Sequence, residues 1–96
     1  GEAIGLGMLI ALNIGVKLKI TSKDLLKRAK YLITKVGLPL RINPKISIGK
    51  IIHAYYYDKK FKARKNRFVL IKDIGKTLIK ENIPLFIVKE AIKEFY

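Results

Sequence analysis

Gly1-Glu2-Ala3-Ile4-Gly5-Leu6-Gly7-Met8-Leu9-Ile10-Ala11-Leu12-Asn13-Ile14-Gly15-Val16-Lys17 is the stretch that decides how the rest of this chain must fold. Apolar residues fill nearly every position, so the segment reads as a helix from Glu2 to about Lys17 that is apolar all round. Such a helix must be covered on all sides. A chain of 96 residues can hardly supply that cover alone, so the helix is expected to pack against something outside it. The apolar run is too short to span a membrane and carries Asn13, which favours a buried core helix. Gly5, Gly7 and Gly15 lower its intrinsic helicity and would let a neighbouring backbone approach closely.

Working outward, Ser22 is an N-cap for a second helix, Lys23 to Val36. Its apolar stripe is Leu25, Leu26, Ala29, Leu32, Ile33 and Val36. Gly37 is its expected stop, and Pro39 follows. Residues Leu38 to Pro44 are expected to be extended, because prolines push their predecessors away from helix. Ser47 caps a third helix running to about Lys59, with Ile48, Ile51, Ile52 and Tyr55 inward. Phe61 to Arg67 is a basic loop. Arg67 to Lys72 and Lys76 to Lys80 read as two short strands about a turn at Asp73-Ile74-Gly75. A last helix, Ile83 to Phe95, carries Pro84 in its first turn and a stripe of Leu85, Val88, Ile92 and Phe95. The fold class is mainly α with one small β-hairpin, in a single domain over 1–96.

Composition narrows the chemistry. Half the residues are hydrophobic, which excludes a disordered tail. The absence of cysteine excludes disulfides and thiolate metal sites. No secretory signal pattern is present. Twenty-one Lys and Arg against seven Asp and Glu give a net charge of +14. Such a balance suits an anionic partner: nucleic acid, an acidic membrane surface or a phosphorylated small molecule. It equally suits the lysine-rich composition of an AT-rich genome, and the even spread of lysines along the chain favours that second reading.

Few residues can carry catalysis. His53, the single histidine, has no second ligand at suitable spacing and reads as structural or surface. Ser22 and Ser47 stand where caps are wanted. The carboxylates are scattered, and no pair forms a general acid/base couple. What remains is Asp58-Lys59-Lys60 with Lys62, Arg64, Lys65 and Arg67. It reads as a charged helix end favoured by the helix dipole, or as an anion site in which a lysine holds a phosphate or carboxylate while Asp58 orients its neighbour.

The fragments Gly1-Glu2-Ala3 with Gly7-Met8, Gly37-Leu38-Pro39, Asp58-Lys59-Lys60, and Phe68-Val69-Leu70 with Ile74-Gly75 occur in order and at matching gaps. Together they resemble the C-terminal domain of the 3-dehydroquinate synthase family, within the sugar-phosphate cyclase superfamily. The resemblance implies a shikimate-pathway lyase of aromatic amino-acid biosynthesis. Such an enzyme cyclises a seven-carbon phosphorylated keto acid to 3-dehydroquinate with loss of phosphate, using NAD and a divalent metal, zinc. It implies that Lys60, ahead of Lys59, binds the substrate, and that Asp58 and Glu2 support the site from behind. It implies no metal ligand, no NAD contact and no catalytic residue in this chain, since the matching metal-binding histidine would precede Gly1. The partners implied are the substrate, an N-terminal NAD-binding domain and a second copy in a homodimer, in the cytoplasm and away from any membrane. The isolated chain is expected to be inactive. The family loop carries a glycine where Lys62-Ala63-Arg64-Lys65-Asn66 has none, so Asn66 would supply the turn.

The alternative is a small nucleic-acid-binding module, in which Tyr55, Tyr56, Tyr57, Phe61 and Phe68 stack on bases beside basic residues. A further alternative is a helical interaction domain without ligand chemistry, suggested by the apolar first helix.

Overall fold

The computed structural model describes residues 2–57, 67–73 and 75–96. The elements run α1 (Glu2–Lys17), α2 (Lys23–Lys35), α3 (Ile48–Tyr57), β1 (Arg67–Asp73), β2 (Lys76–Glu81) and α4 (Leu85–Lys93). The architecture among the described residues is mainly α, with one antiparallel hairpin in which Leu70 faces Leu78 and the register breaks between Ile71 and Asp73.

The core forms where α1 meets β1, α2 and α4. Leu9, Ile10, Leu12 and Ile14 of α1 are buried with Leu26, Ile42, Leu70, Ile83, Val88, Ala91, Ile92 and Phe95. This narrows one expectation to the opening turns of α1. From Leu9 to Ile14 the first helix is sheathed by this chain's own elements, because the hairpin and α4 close on the sides that α2 leaves free. Its opening turns remain open, with Ile4 70% and Met8 50% exposed.

The helix boundaries follow from local chemistry. Ser22 caps α2 as its Oγ accepts from the Leu25 N–H at 3.1 Å, and the Ser47 Oγ accepts from the Lys50 N–H at 3.2 Å. Past the C-cap Val36, Gly37 takes φ +85°. The Gly37 N–H then reaches the Thr34 carbonyl and the Leu38 N–H the Ile33 carbonyl, closing a Schellman motif. The end of α1 makes the same pair of bonds, from Lys19 to Val16 and from Ile20 to Gly15. There the left-handed position is held by a lysine, Lys19, at φ 60°. Sequence pattern did not mark it, because no glycine stands there.

Three further details differ from expectation. Leu32 and Val36 lie on the outside of α2, since the predicted stripe is wider than α1 can cover and only Leu25, Leu26, Ala29 and Ile33 meet the core. The last helix starts at Leu85 with Pro84 as its cap, so Ile83 is buried from an extended segment and Leu85 is exposed. Between α2 and α3 the chain bends and turns at Asn43–Ile46 rather than running straight. Of the predicted α3 face, Ile48, Ile51 and Ile52 are half-buried against the core, and the Tyr55 side chain lies outside the described residues.

Candidate functional site

The sequence places its anion site on Asp58, Lys59 and Lys60, followed by Lys62, Arg64 and Lys65. All of these lie outside the described residues. Their anchors on either side are described. α3 carries the chain to Tyr57, held by the half-buried Ile48, Ile51 and Ile52. β1 takes it up at Arg67 and is fixed by the fully buried Leu70. The Thr21 hydroxyl also donates to the Ile71 carbonyl at 2.5 Å. That bond ties β1 to the end of α1, where Gly15 leaves the room for Thr21: a Cβ at Gly15 would stand 2.1 Å from the Thr21 Oγ1. The close neighbour that this glycine admits is a side chain rather than the expected backbone.

Glu2 is the first residue of α1, and the supporting role expected of its carboxylate falls outside what is described. His53 is exposed on α3. The aromatic side chains of the nucleic-acid reading, Tyr55, Tyr56, Tyr57, Phe61 and Phe68, also lie outside the described residues.

One polar cluster was not anticipated. Asn13, buried in α1, donates to the Ala91 carbonyl at 3.1 Å and to the Glu94 Oε2 at 3.2 Å. The Lys17 ammonium meets the same Glu94 oxygen at 2.5 Å. Burial alone would push the Glu94 carboxyl up. The Lys17 and Asn13 hydrogen bonds and the charges of Lys17 and Lys30 outweigh it and hold the group below its usual range. The signal in the sequence was a lone asparagine in an apolar helix. Its partners, 78 and 81 positions away, gave none.

Among the described residues no three His, Cys, Asp or Glu side chains gather where one ion could touch them. The sheet among the described residues is an antiparallel hairpin. No described helix is long and apolar enough to cross a membrane.

Comparison with known proteins gives this helical unit its family. Residues 1–61 match the family model described as 3-dehydroquinate synthase C-terminal. The 3-dehydroquinate synthase of Crocosphaera subtropica is 36% identical over 94 residues, covering 98% of this chain and 26% of that protein. The enzyme of the same name from Nostoc punctiforme is 38% identical over 93 residues, covering 97% and 26%. That from Dehalococcoides mccartyi is 40% identical over 84 residues, covering 86% and 23%. The chain thus spans about a quarter of the length of the curated relatives it matches. With four helices and a hairpin among its described residues, and a match running from its first residue through α3, the chain belongs to the 3-dehydroquinate synthase C-terminal family.

Proposed function

We propose that residues 1–96 act as one C-terminal domain of a 3-dehydroquinate synthase and form the substrate-facing wall of its active site. The observation that carries this reading is likeness along nearly the whole chain, 97% of it in the Nostoc punctiforme case, to proteins bearing that name. In the intact enzyme the substrate is a seven-carbon phosphorylated keto acid, and the product is 3-dehydroquinate with release of phosphate. NAD, held by an N-terminal domain, and zinc, held by a glutamate and two histidines that the resemblance places ahead of Gly1, supply the redox and Lewis-acid chemistry, in a cytoplasmic homodimer.

This chain's part is electrostatic. Lys60, with Lys59 beside it, holds the substrate phosphate as a point charge. Asp58 pairs with one ammonium and directs the other, and Glu2 supports the site from the start of α1. The high positive charge of the domain draws a phosphorylated acid toward the pocket. On this reading the groups that hold NAD and zinc belong to the rest of the enzyme, and the chain alone turns over no substrate.

The test is a chimera in which this chain replaces the matching segment of the Nostoc punctiforme enzyme. The chimera is expected to release phosphate and form 3-dehydroquinate, while the 96-residue chain alone forms none. Lys60→Ala in the chimera should lower kcat/KM by roughly tenfold or more, the worth of one charge-assisted hydrogen bond, and Lys59→Ala by less. A folded but inactive chimera would refute the domain's function. An unchanged Lys60→Ala would refute the assigned lysine.

A further inference from the structure

The outer face of α2 holds an unusual group of side chains. Tyr31, Leu32 and Val36 are 64%, 61% and 71% exposed. Lys27, Arg28, Tyr31 and Leu32 line a shallow open groove along the helix. Lys23, Lys27, Arg28 and Lys35 are all exposed around these apolar groups, and Asp24 is the single acid among them. Lys30 does not belong to this face, for its ammonium lies 5.3 Å from the Phe95 ring centre on the core side.

We propose that this face docks an acidic amphipathic helix of a partner protein. Carboxylates of the partner meet Lys27 and the Arg28 guanidinium, whose fork matches a carboxylate in two-point contact. Apolar side chains of the partner cover Tyr31, Leu32 and Val36. Removing those groups from water supplies the binding energy, and the opposed charges set orientation and partner choice.

The argument for this occupant rests on complementarity of both kinds. A nucleic acid would answer the cations but not Leu32 and Val36, which offer bases neither hydrogen bonds nor a stacking plane. A membrane surface would need a helix with its main apolar face free. α2 turns that face, with Leu26 buried, toward the core, and its outer apolar group is ringed by charge. The inference is independent of the catalytic reading, because α2 carries none of the residues assigned to substrate.

The test is a fluorescence-anisotropy titration of the 96-residue protein with two labelled synthetic peptides. One bears Glu and Leu at helical spacing, and the other has the same composition in scrambled order. The patterned peptide is expected to bind roughly tenfold or more tighter. Tyr31→Ser with Leu32→Ser should abolish that preference, whereas Lys50→Ala and Lys89→Ala, exposed elsewhere, should leave it intact. Lys27→Glu with Arg28→Glu should transfer the preference to a Lys-Leu peptide of the same pattern. All of these positions are exposed, and circular dichroism verifies that each variant folds. Equal binding of the two Glu-Leu peptides, or a double serine variant that binds like the parent, overturns the proposal. So does tighter binding of polyuridine RNA or phosphatidylserine vesicles through Tyr31 and Leu32.

Discussion

Asn13 of α1 donates its amide hydrogen to the carbonyl of Ala91, across 78 positions of sequence and 3.1 Å of space. That carbonyl belongs to the last turn of α4, where carbonyls lack partners within the helix. Asn13 therefore acts as a remote C-terminal cap and joins the two ends of the core. Replacing it by alanine leaves the carbonyl buried and opens a small void. Asn13→Ala should cost about 1–3 kcal/mol and lower the melting temperature by roughly 4–8 °C for each of them, as followed by circular dichroism.

Two glycines of the same helix should respond oppositely to alanine. At Gly15 the added methyl would fall 2.1 Å from the Thr21 hydroxyl and 2.9 Å from its Cβ. Gly15→Ala must displace Thr21 and with it the bond to Ile71, at a cost of about 1–3 kcal/mol. At Gly7 a methyl meets nothing within 4 Å. Gly7→Ala should stabilise by up to about 1 kcal/mol through helix propensity alone. Paired urea titrations decide the sign of each.

Lys19 carries a left-handed backbone that closes α1. A residue with a Cβ is strained there by about 1–2 kcal/mol, and its side chain is exposed. Lys19→Gly should therefore raise the urea midpoint, unlike most substitutions to glycine. A fall in the midpoint would show that the lysine side chain contributes more than the strain it brings.

Glu94 gives a pH dependence of definite sign. Its folded carboxyl titrates below the usual value, as Lys17 and Asn13 outweigh the opposing effect of burial. The stabilisation is complete above the unfolded value of about 4.3 and is lost as pH falls through the lower folded value. The pair is half-exposed, so its worth lies within about 0–1 kcal/mol. Glu94→Gln should be less stable than the parent by a constant amount above about pH 5, and the gap should close as the solution is acidified below about pH 4. Urea titrations across that range measure it.

The elements were legible where signals are local. Ser22, Ser47 and Gly37 act on residues within one turn of themselves, and the hairpin alternation is written in adjacent residues. Exposure was less legible. Leu32 and Val36 have the spacing of a buried stripe, yet the width of the partner helix, which spacing does not encode, leaves them outside. The Asn13–Glu94–Lys17 cluster went unseen because its members stand at opposite ends of the chain. The family was legible through short fragments at Gly1-Glu2-Ala3 and Asp58-Lys59-Lys60, which reflect ancestry rather than any energy that folding chemistry exposes.

The closure of α1 by α4 has a consequence for biosynthesis. On the ribosome the first helix emerges long before the segment that seals it, since Ala91 follows Asn13 by 78 residues. At translation speeds of about 5–20 residues per second that delay is roughly 4–16 s. During those seconds the flank of α1 that α4 seals stays bare, and transiently bared apolar surface of that kind is what holding chaperones shield.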